Sequence, residues 1–339
     1  MMDSLSAGKL RGIQQIANKN GVLTVCAIDH RGSLQRALNK SNPEMVSYQD
    51  MVDFKLDLCR AVAGFSSAVL LDPIYGAGQA IFSGVLPGQT GLLVSLEKTG
   101  YSGESTARTT ELLADWSVAK IKKLGASAVK LLIYFRVDLE DVASRQLALV
   151  RGVARQCIEE DIPLLLESVA YPTTEEKENP EIFSKNKPEL VIEAARKLTS
   201  LPIDILKSEF PADINYETDD TRLKMYCQKL SQASRLPWVL LSAGTDFEHF
   251  TKQVEIACRN GASGFMAGRA LWQEAVGIDA RKERFSFFKS QTVARLTKLT
   301  GLANKWASPW HTRLGYNDGR FSELPEGWYK TYQAERKTL

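Results

Sequence analysis

The chain has 339 residues, 44% hydrophobic and 24% charged, with a formal net charge of +3. That is ordinary globular composition with length for a large core. Lys and Arg are spread along the chain rather than blocked, which excludes the electrostatic footprint of a nucleic-acid or membrane-surface binder. The first residues, MMDSLSAGKLRG, carry no apolar core of signal-peptide length, and no run approaches a membrane span. Five scattered cysteines without a C-x-x-C imply reduced thiols and a cytoplasmic location. None of the three histidines is paired at ligand spacing, so neither a zinc site nor another cofactor is expected.

In chain order, residues 5–20 read as a short helix that stops at Asn20-Gly21. A continuous apolar run over 22–28 then ends in Asp29-His30-Arg31-Gly32. Apolar runs that stop at charge are the pattern of buried parallel strands. Similar runs cover 67–71, 91–96, 127–135, 162–169, 203–210, 238–242 and 264–267. Helical patterns lie between them at 46–62, 111–124, 144–160, 188–198, 219–233 and 246–260, with room for only a short helix in 72–90. Eight strands in strict alternation with helices predict a (β/α)8 barrel over residues 1–303. A doubly wound open sheet is the competing fold. It calls for a G-x-G-x-x-G turn after the first strand, where this chain has Asp29-His30-Arg31-Gly32-Ser33. Residues 280–303 read as a further helix. An extension over 304–339, with Trp306, Trp310, Trp328, Tyr329 and Tyr332, is expected to pack on the barrel or on a neighbouring subunit.

Reactive residues of such barrels sit at the C-terminal ends of the strands. Four of those ends carry charge here. They are Asp29 on the first strand, Lys130 within Ala128-Val129-Lys130-Leu131-Leu132 on the fourth, Glu167 on the fifth, and Lys207 in Ile203-Asp204-Ile205-Leu206-Lys207-Ser208 on the sixth. An unpaired charge in an apolar run is costly, so four at one end are best satisfied by each other around a common site. The competing reading is salt-bridged packing of the barrel interior, with a strand-end lysine whose stem lies on apolar surface while its head meets water. A lysine taken out of water is pushed towards the neutral amine that attacks a carbonyl, and a cationic Lys130 nearby would add to that push. The seventh and eighth strands end in Ser242-Ala243-Gly244 and Gly268-Arg269. Small residues leading into helix starts present backbone N–H groups suited to a phosphate, and Arg269 can add a charge-assisted contact. The same glycines would also serve simple tight turns.

The segments Ala27-Ile28-Asp29-His30-Arg31-Gly32-Ser33-Leu34, the Lys130 strand, Leu166-Glu167, Asp204-Ile205-Leu206-Lys207-Ser208-Glu209, Leu241-Ser242-Ala243-Gly244 and Gly268-Arg269-Ala270 together resemble the tagatose 1,6-bisphosphate aldolase family. These are metal-independent class I aldolases on a (β/α)8 barrel, and they include bacterial sulfofructose-phosphate aldolases. The resemblance implies that Lys207 forms the Schiff base and that Glu167 moves protons. It places Asp29 and Lys130 on the substrate hydroxyls, and Ser242, Ala243, Gly244, Gly268 and Arg269 on the C1 phosphate. The expected partners are a phosphorylated ketose and dihydroxyacetone phosphate, in a homo-oligomer. The family usually has glutamine where this chain has His30, a residue that can titrate near neutral pH. His30 and its neighbour Arg31 are therefore expected to contact a phosphate, a sulfonate or an open-chain hydroxyl. Two other functions fit the same residues: a sugar-phosphate isomerase or epimerase, and a sugar-phosphate-sensing protein without catalysis.

Overall fold

All eight apolar runs become strands of one closed parallel barrel in the computed structural model, which describes residues 5–316, 324–330 and 332. The strands are β1 (Leu23–Ala27), β2 (Ala68–Leu71), β3 (Gly91–Ser95), β4 (Ala128–Tyr134), β5 (Leu164–Val169), β6 (Ile205–Ser208), β7 (Trp238–Leu241) and β8 (Gly264–Ala267). The ring closes where β8 pairs with β1 through Leu23↔Gly264 to Cys26↔Ala267. The helices are α1 (Ala7–Ile16), α2 (Gly32–Leu38), α3 (Tyr48–Val62), α4 (Ala77–Phe82), α5 (Val118–Lys123), α6 (Glu140–Glu159) and α7 (Thr174–Glu178). They continue as α8 (Pro180–Leu198), α9 (Asp220–Ala233), α10 (Phe247–Arg259), α11 (Arg269–Trp272), α12 (Arg281–Phe287), α13 (Val293–Trp306) and α14 (Trp310–Arg313). Among the described residues no helix is long and apolar enough to cross a membrane.

Side chains alternate across each strand, and the two faces build two cores. One face packs outward against the helices, as with Val69, Val94, Leu131, Leu166 and Leu206. The other fills the barrel with Val25, Ala27, Leu70, Leu93, Ala128, Leu165, Ile205, Val239 and Met266. The N-terminal end of the barrel is closed by Ile13 and Ile16 of α1 and by Trp310 of α14, all buried in that inner cluster. Lys9 of α1 ties this floor to the wall through Asp204 at 2.8 Å.

The structure departs from the sequence expectations in three places. The helix expected over 111–124 is only α5. Ser117 caps it by accepting from the Lys120 amide at 3.2 Å, and a cap fixes where the first turn begins. Before it, the chain makes an excursion joined by antiparallel bridges Glu97↔Leu112 and Ser102↔Thr109. Pro188 lies inside α8 rather than opening it. The opening residue is Pro180, at a first-turn position where the missing N–H has no intrahelical partner to lose. The helix expected over 280–303 is divided into α12 and α13 by one π turn, Phe288–Thr292.

The described aromatic residues of the tail contact this chain. Trp310 donates its amide to Gly21 O at 2.9 Å, and the Arg259 guanidinium lies 3.5 Å from the Trp306 ring centre. Tyr332 hydroxyl accepts from the Gly8 amide at 3.0 Å and donates to Asp161. Of the expected extension 304–339, residues 317–323, 331 and 333–339 lie outside the described residues.

One buried ion pair holds the mouth of β1. Lys55 on α3 and Asp72 after β2 are both 0% exposed and sit 2.8 Å apart. Lys55 also donates to the carbonyls of Ile28 and, at 2.7 Å, His30. Removing one partner of such a pair strands the other charge away from water. Asp72→Asn should therefore lower unfolding free energy by about 3–5 kcal/mol in denaturant titration. A loss under about 1 kcal/mol would mean that the lysine finds water or another acceptor.

Candidate active site

Alternation decides which charges point into the barrel. Val25, Ala27 and then Asp29 follow one another on the inner face of β1, and the same step of two leads from Ala128 to Lys130, from Leu165 to Glu167 and from Ile205 to Lys207. The lower positions are hydrophobic and buried, so the polar layer sits at the C-terminal mouth. Strand register then sets the neighbours. Glu167 on β5 is directly opposite Lys207 on β6, and Ser95 on β3 is opposite Lys130 on β4.

The result is a chain of charges that meets at one atom. Glu167 Oε2 lies 2.9 Å from Lys207 Nζ and 3.1 Å from Lys130 Nζ. Lys130 also donates to Asp29 at 2.8 Å and to Glu97 at 2.5 Å. Burial on its own would drive the Lys130 ammonium towards neutrality. Asp29, Glu167 and Glu97 outweigh it and raise its pKa well above the ordinary lysine value. Burial likewise opposes ionisation of Asp29 and Glu167, and the two lysines outweigh it and hold both carboxyls below their usual range. Lys130 is thus a fixed cation between three carboxylates, and Glu167 is an ionised base touching Lys207.

These groups line a cleft of about 490 Å³ whose other walls come from β7, β8 and the loops after β1 and β3. After β7 the backbone turns with Ala243 at φ 49° and Gly244 at φ 81°, the left-handed region that costs a non-glycine residue strain. A Cβ on Gly244 would lie 3.0 Å from the Arg269 guanidinium, so glycine lets Arg269 pack flat on the turn. The Arg269 Nε is buried without a hydrogen-bond partner. Gly268 donates its amide to Ser242 Oγ at 3.3 Å, linking the two loops. At the helix start after β7 the Asp246 side chain accepts from the His249 amide at 3.0 Å, which occupies one of the first-turn N–H groups of α10. The start of α11 after β8 carries no side-chain cap, so its amides stand with the turn and Arg269 as groups open to an anion.

Asp29, Lys130, Glu167, Lys207, His30, Arg31, Ser242, Ala243, Gly244, Gly268 and Arg269 all line this one cleft. Arg31 spends one nitrogen on Glu97 O at 2.7 Å, while its Nε and Nη1 are buried and unpartnered. His30 differs from the expectation of a group titrating near neutrality. Burial lowers its pKa from 6.5 to about 3; Asp29 opposes the shift and Arg269, Lys55 and Lys207 reinforce it, so the ring is neutral. Sequence reading missed Glu97. It follows the apolar run 91–96 as directly as Asp29 follows its own, and its carboxylate also accepts from the Leu132 amide at 3.1 Å. It missed Lys55 as well, since a lysine on an amphipathic helix gives no sign that it turns inward.

The His30 shift has a definite sign in stability. Its folded pKa lies below its unfolded value, so the unfolded chain takes up the proton first, and stability present above pH 6.5 is lost as pH falls towards 3. Between pH 7.0 and 5.0 this group should cost about 2 kcal/mol, and denaturant titration of His30→Gln should lose that much less than wild type. Equal losses would place the proton elsewhere.

Residues 23–274 match the model for DeoC/LacD family aldolases. The chain is 30% identical over 335 residues to tagatose 1,6-diphosphate aldolase 2 of Enterococcus faecalis, covering 94% of this chain and 100% of that one. It is 31% identical over 326 residues to the tagatose 1,6-diphosphate aldolase of Streptococcus agalactiae, covering 91% and 99%. The solved fructose-bisphosphate aldolase of Plasmodium falciparum superposes with a TM-score of 0.67 at 13% identity, over 90% of this chain and 98% of that one. An archaeal fructose 1,6-bisphosphate aldolase does so with a TM-score of 0.58 at 22% identity, over 87% and 98%. At those identities the structural likeness speaks for the barrel. The family match, with relatives aligned along nearly their whole length, carries the assignment: this chain belongs to the DeoC/LacD family of aldolases.

Proposed function

We propose that this protein is a Schiff-base aldolase that reversibly cleaves a phosphorylated ketohexose into dihydroxyacetone phosphate and a three-carbon aldehyde. The observation that carries the reading is the contact of Lys207 Nζ with the ionised Glu167 at 2.9 Å, inside a cleft that also holds Arg269. A nucleophilic amine needs an adjacent base to take its proton and an anchor to fix the carbonyl.

In this reading the C1 phosphate sits on the Ser242-Ala243-Gly244 turn and Arg269, which places C2 over Lys207. Arg269 supplies an unpartnered, buried N–H for that purpose. The amine adds to C2, and Glu167 relays protons as water leaves to give the iminium. The C3–C4 bond then breaks with its electron pair flowing into the iminium, while the C4 hydroxyl gives its proton to Glu167 and becomes the aldehyde. Protonation at C3 and hydrolysis release dihydroxyacetone phosphate and restore Lys207. Lys130 stays cationic throughout, held by Asp29 and Glu97, and keeps Glu167 ionised between proton transfers. The iminium is the electron sink, so no step calls on a metal. Asp29 and Lys130 lie beside the reacting carbons and orient substrate hydroxyls.

The same reading places the protein in the cytoplasm as a homo-oligomer that does not engage nucleic acid or membrane. In support, all five cysteines are free and buried. Phe82 and Met45 stand 93% and 73% exposed, which suits a subunit contact.

Borohydride added with dihydroxyacetone phosphate should label the peptide containing Lys207, and Lys207→Met should abolish both label and cleavage. Label on Lys130, or none, would overturn the assignment. Glu167→Gln should reduce kcat by about 10²–10⁴-fold, the usual weight of a general acid–base. Cleavage should survive EDTA; its loss would point to a metal-dependent reaction.

A further inference from the structure

The imidazole of His30 is confined on several sides. Its carbonyl is held by Lys55 at 2.7 Å. The ring stands edge-on to Trp272 with centroids 5.1 Å apart, and Trp272 is itself anchored by donating Nε1 to Ala27 O at 3.2 Å. A Cβ on Gly268 would come within 2.6 Å of His30 Cε1, so glycine alone leaves room for the ring. Nδ1 is buried without a hydrogen bond and faces Asp29 Oδ1 at 3.9 Å. The nitrogen beside Asp29 is Nδ1, whereas Nε2 lies on the Gly268 side, 3.3 Å from where a Cβ there would stand, and the residue lines the cleft.

The charged groups acting on the ring are Asp29 beside it, Arg269 after β8, Lys55 from α3 and Lys207 from β6. Three cations and burial against one carboxylate leave the ring uncharged, and a neutral imidazole carries a single N–H. The ionised Asp29, 3.9 Å from Nδ1, favours that hydrogen on Nδ1 through its charge. Nε2 is then left with a lone pair. A lone pair repels the oxygens of a phosphate or sulfonate and accepts from an O–H.

We infer that His30 Nε2 accepts a hydrogen bond from one hydroxyl of the open-chain ketose, with Asp29 fixing the tautomer, so that His30 is a specificity-determining residue for hydroxyl configuration and not an anion ligand. This rests on the aldolase reading above and deepens it: among the three groups that His30 was expected to contact, it selects the hydroxyl. A glutamine at this position offers an acceptor and a donor from one amide. The neutral histidine with its hydrogen on the Asp29 side offers only the acceptor.

The test compares wild type with His30→Phe, which keeps a ring against Trp272 but has no nitrogen, and with His30→Gln, which restores an acceptor. Cleavage of fructose 1,6-bisphosphate and tagatose 1,6-bisphosphate, inhibition by inorganic phosphate, and borohydride trapping with dihydroxyacetone phosphate are measured on each. His30→Phe should lose about 10- to 100-fold in kcat/KM on the preferred ketose and narrow the ratio between the two epimers, the weight of one lost hydrogen bond in a desolvated site. His30→Gln should recover most of that loss. Inhibition by inorganic phosphate should change by no more than about 2-fold in either variant, because the anchor is elsewhere. If the phenylalanine ring prevents folding, His30→Leu gives the same comparison. Parallel weakening of phosphate inhibition and cleavage would make His30 an anion ligand and overturn the inference, as would an unchanged kcat/KM and epimer ratio. Wild type that neither traps nor cleaves would instead sink the aldolase reading itself, so the two failures are distinct.

Discussion

Two lysines meet at a single carboxylate oxygen. Glu167 Oε2 touches both Lys130 and Lys207 within that buried layer. The two lysines are not equivalent. Lys130 is fastened to Asp29 and Glu97 as well, so its charge is structural. Among the described residues, the carboxylate paired with Lys207 is Glu167, at 2.9 Å. The division of labour follows from how many carboxylates each lysine is given.

Around that junction the fold supplies position rather than chemistry. Inward alternation lifts the charges onto one layer above a hydrophobic fill, and the register of β5 on β6 sets Glu167 across from Lys207. Outside the barrel, α3 reaches in with Lys55 to pin the carbonyls of residues 28 and 30, which fixes the backbone that carries Asp29. Arg31 ties the same loop to the end of β3 through the Glu97 carbonyl. The mouth of β1 is thereby braced from two directions by long cationic side chains acting on main-chain oxygens.

Much of this was legible from residue order. Every strand announced itself as a bounded apolar run, several of them stopped by charge as at Asp29, Asp72 and Glu97, because parallel strands are buried on both faces. Asp29, Lys130, Glu167 and Lys207 stood out because each interrupts or ends such a run. Glu97 carried the same sign and was overlooked, since it is followed by Lys98 and reads as the start of a polar loop. Lys55 could not be found that way: its partner Asp72 lies outside its own helix, and sequence spacing says nothing of contacts between distant elements. The start of α5 was masked by a helical pattern extending back over residues that make bridges instead. The state of His30 depends on Arg269, Lys55 and Lys207 from three other elements, so it belongs to the folded arrangement alone.

The floor of the barrel has a bearing on traffic. Ile13, Ile16 and Trp310 stop its lower end, each no more than 2% exposed. Among the described residues, the mouth at the other end is therefore the doorway left for water and reactants. In the proposed reaction the water expelled when an imine forms, and the one needed to undo it, would both travel past the loops after β1 and β3. Any occupant of that doorway governs hydrolysis as well as binding. A bound aldehyde would shield the covalent adduct simply by standing in its way out.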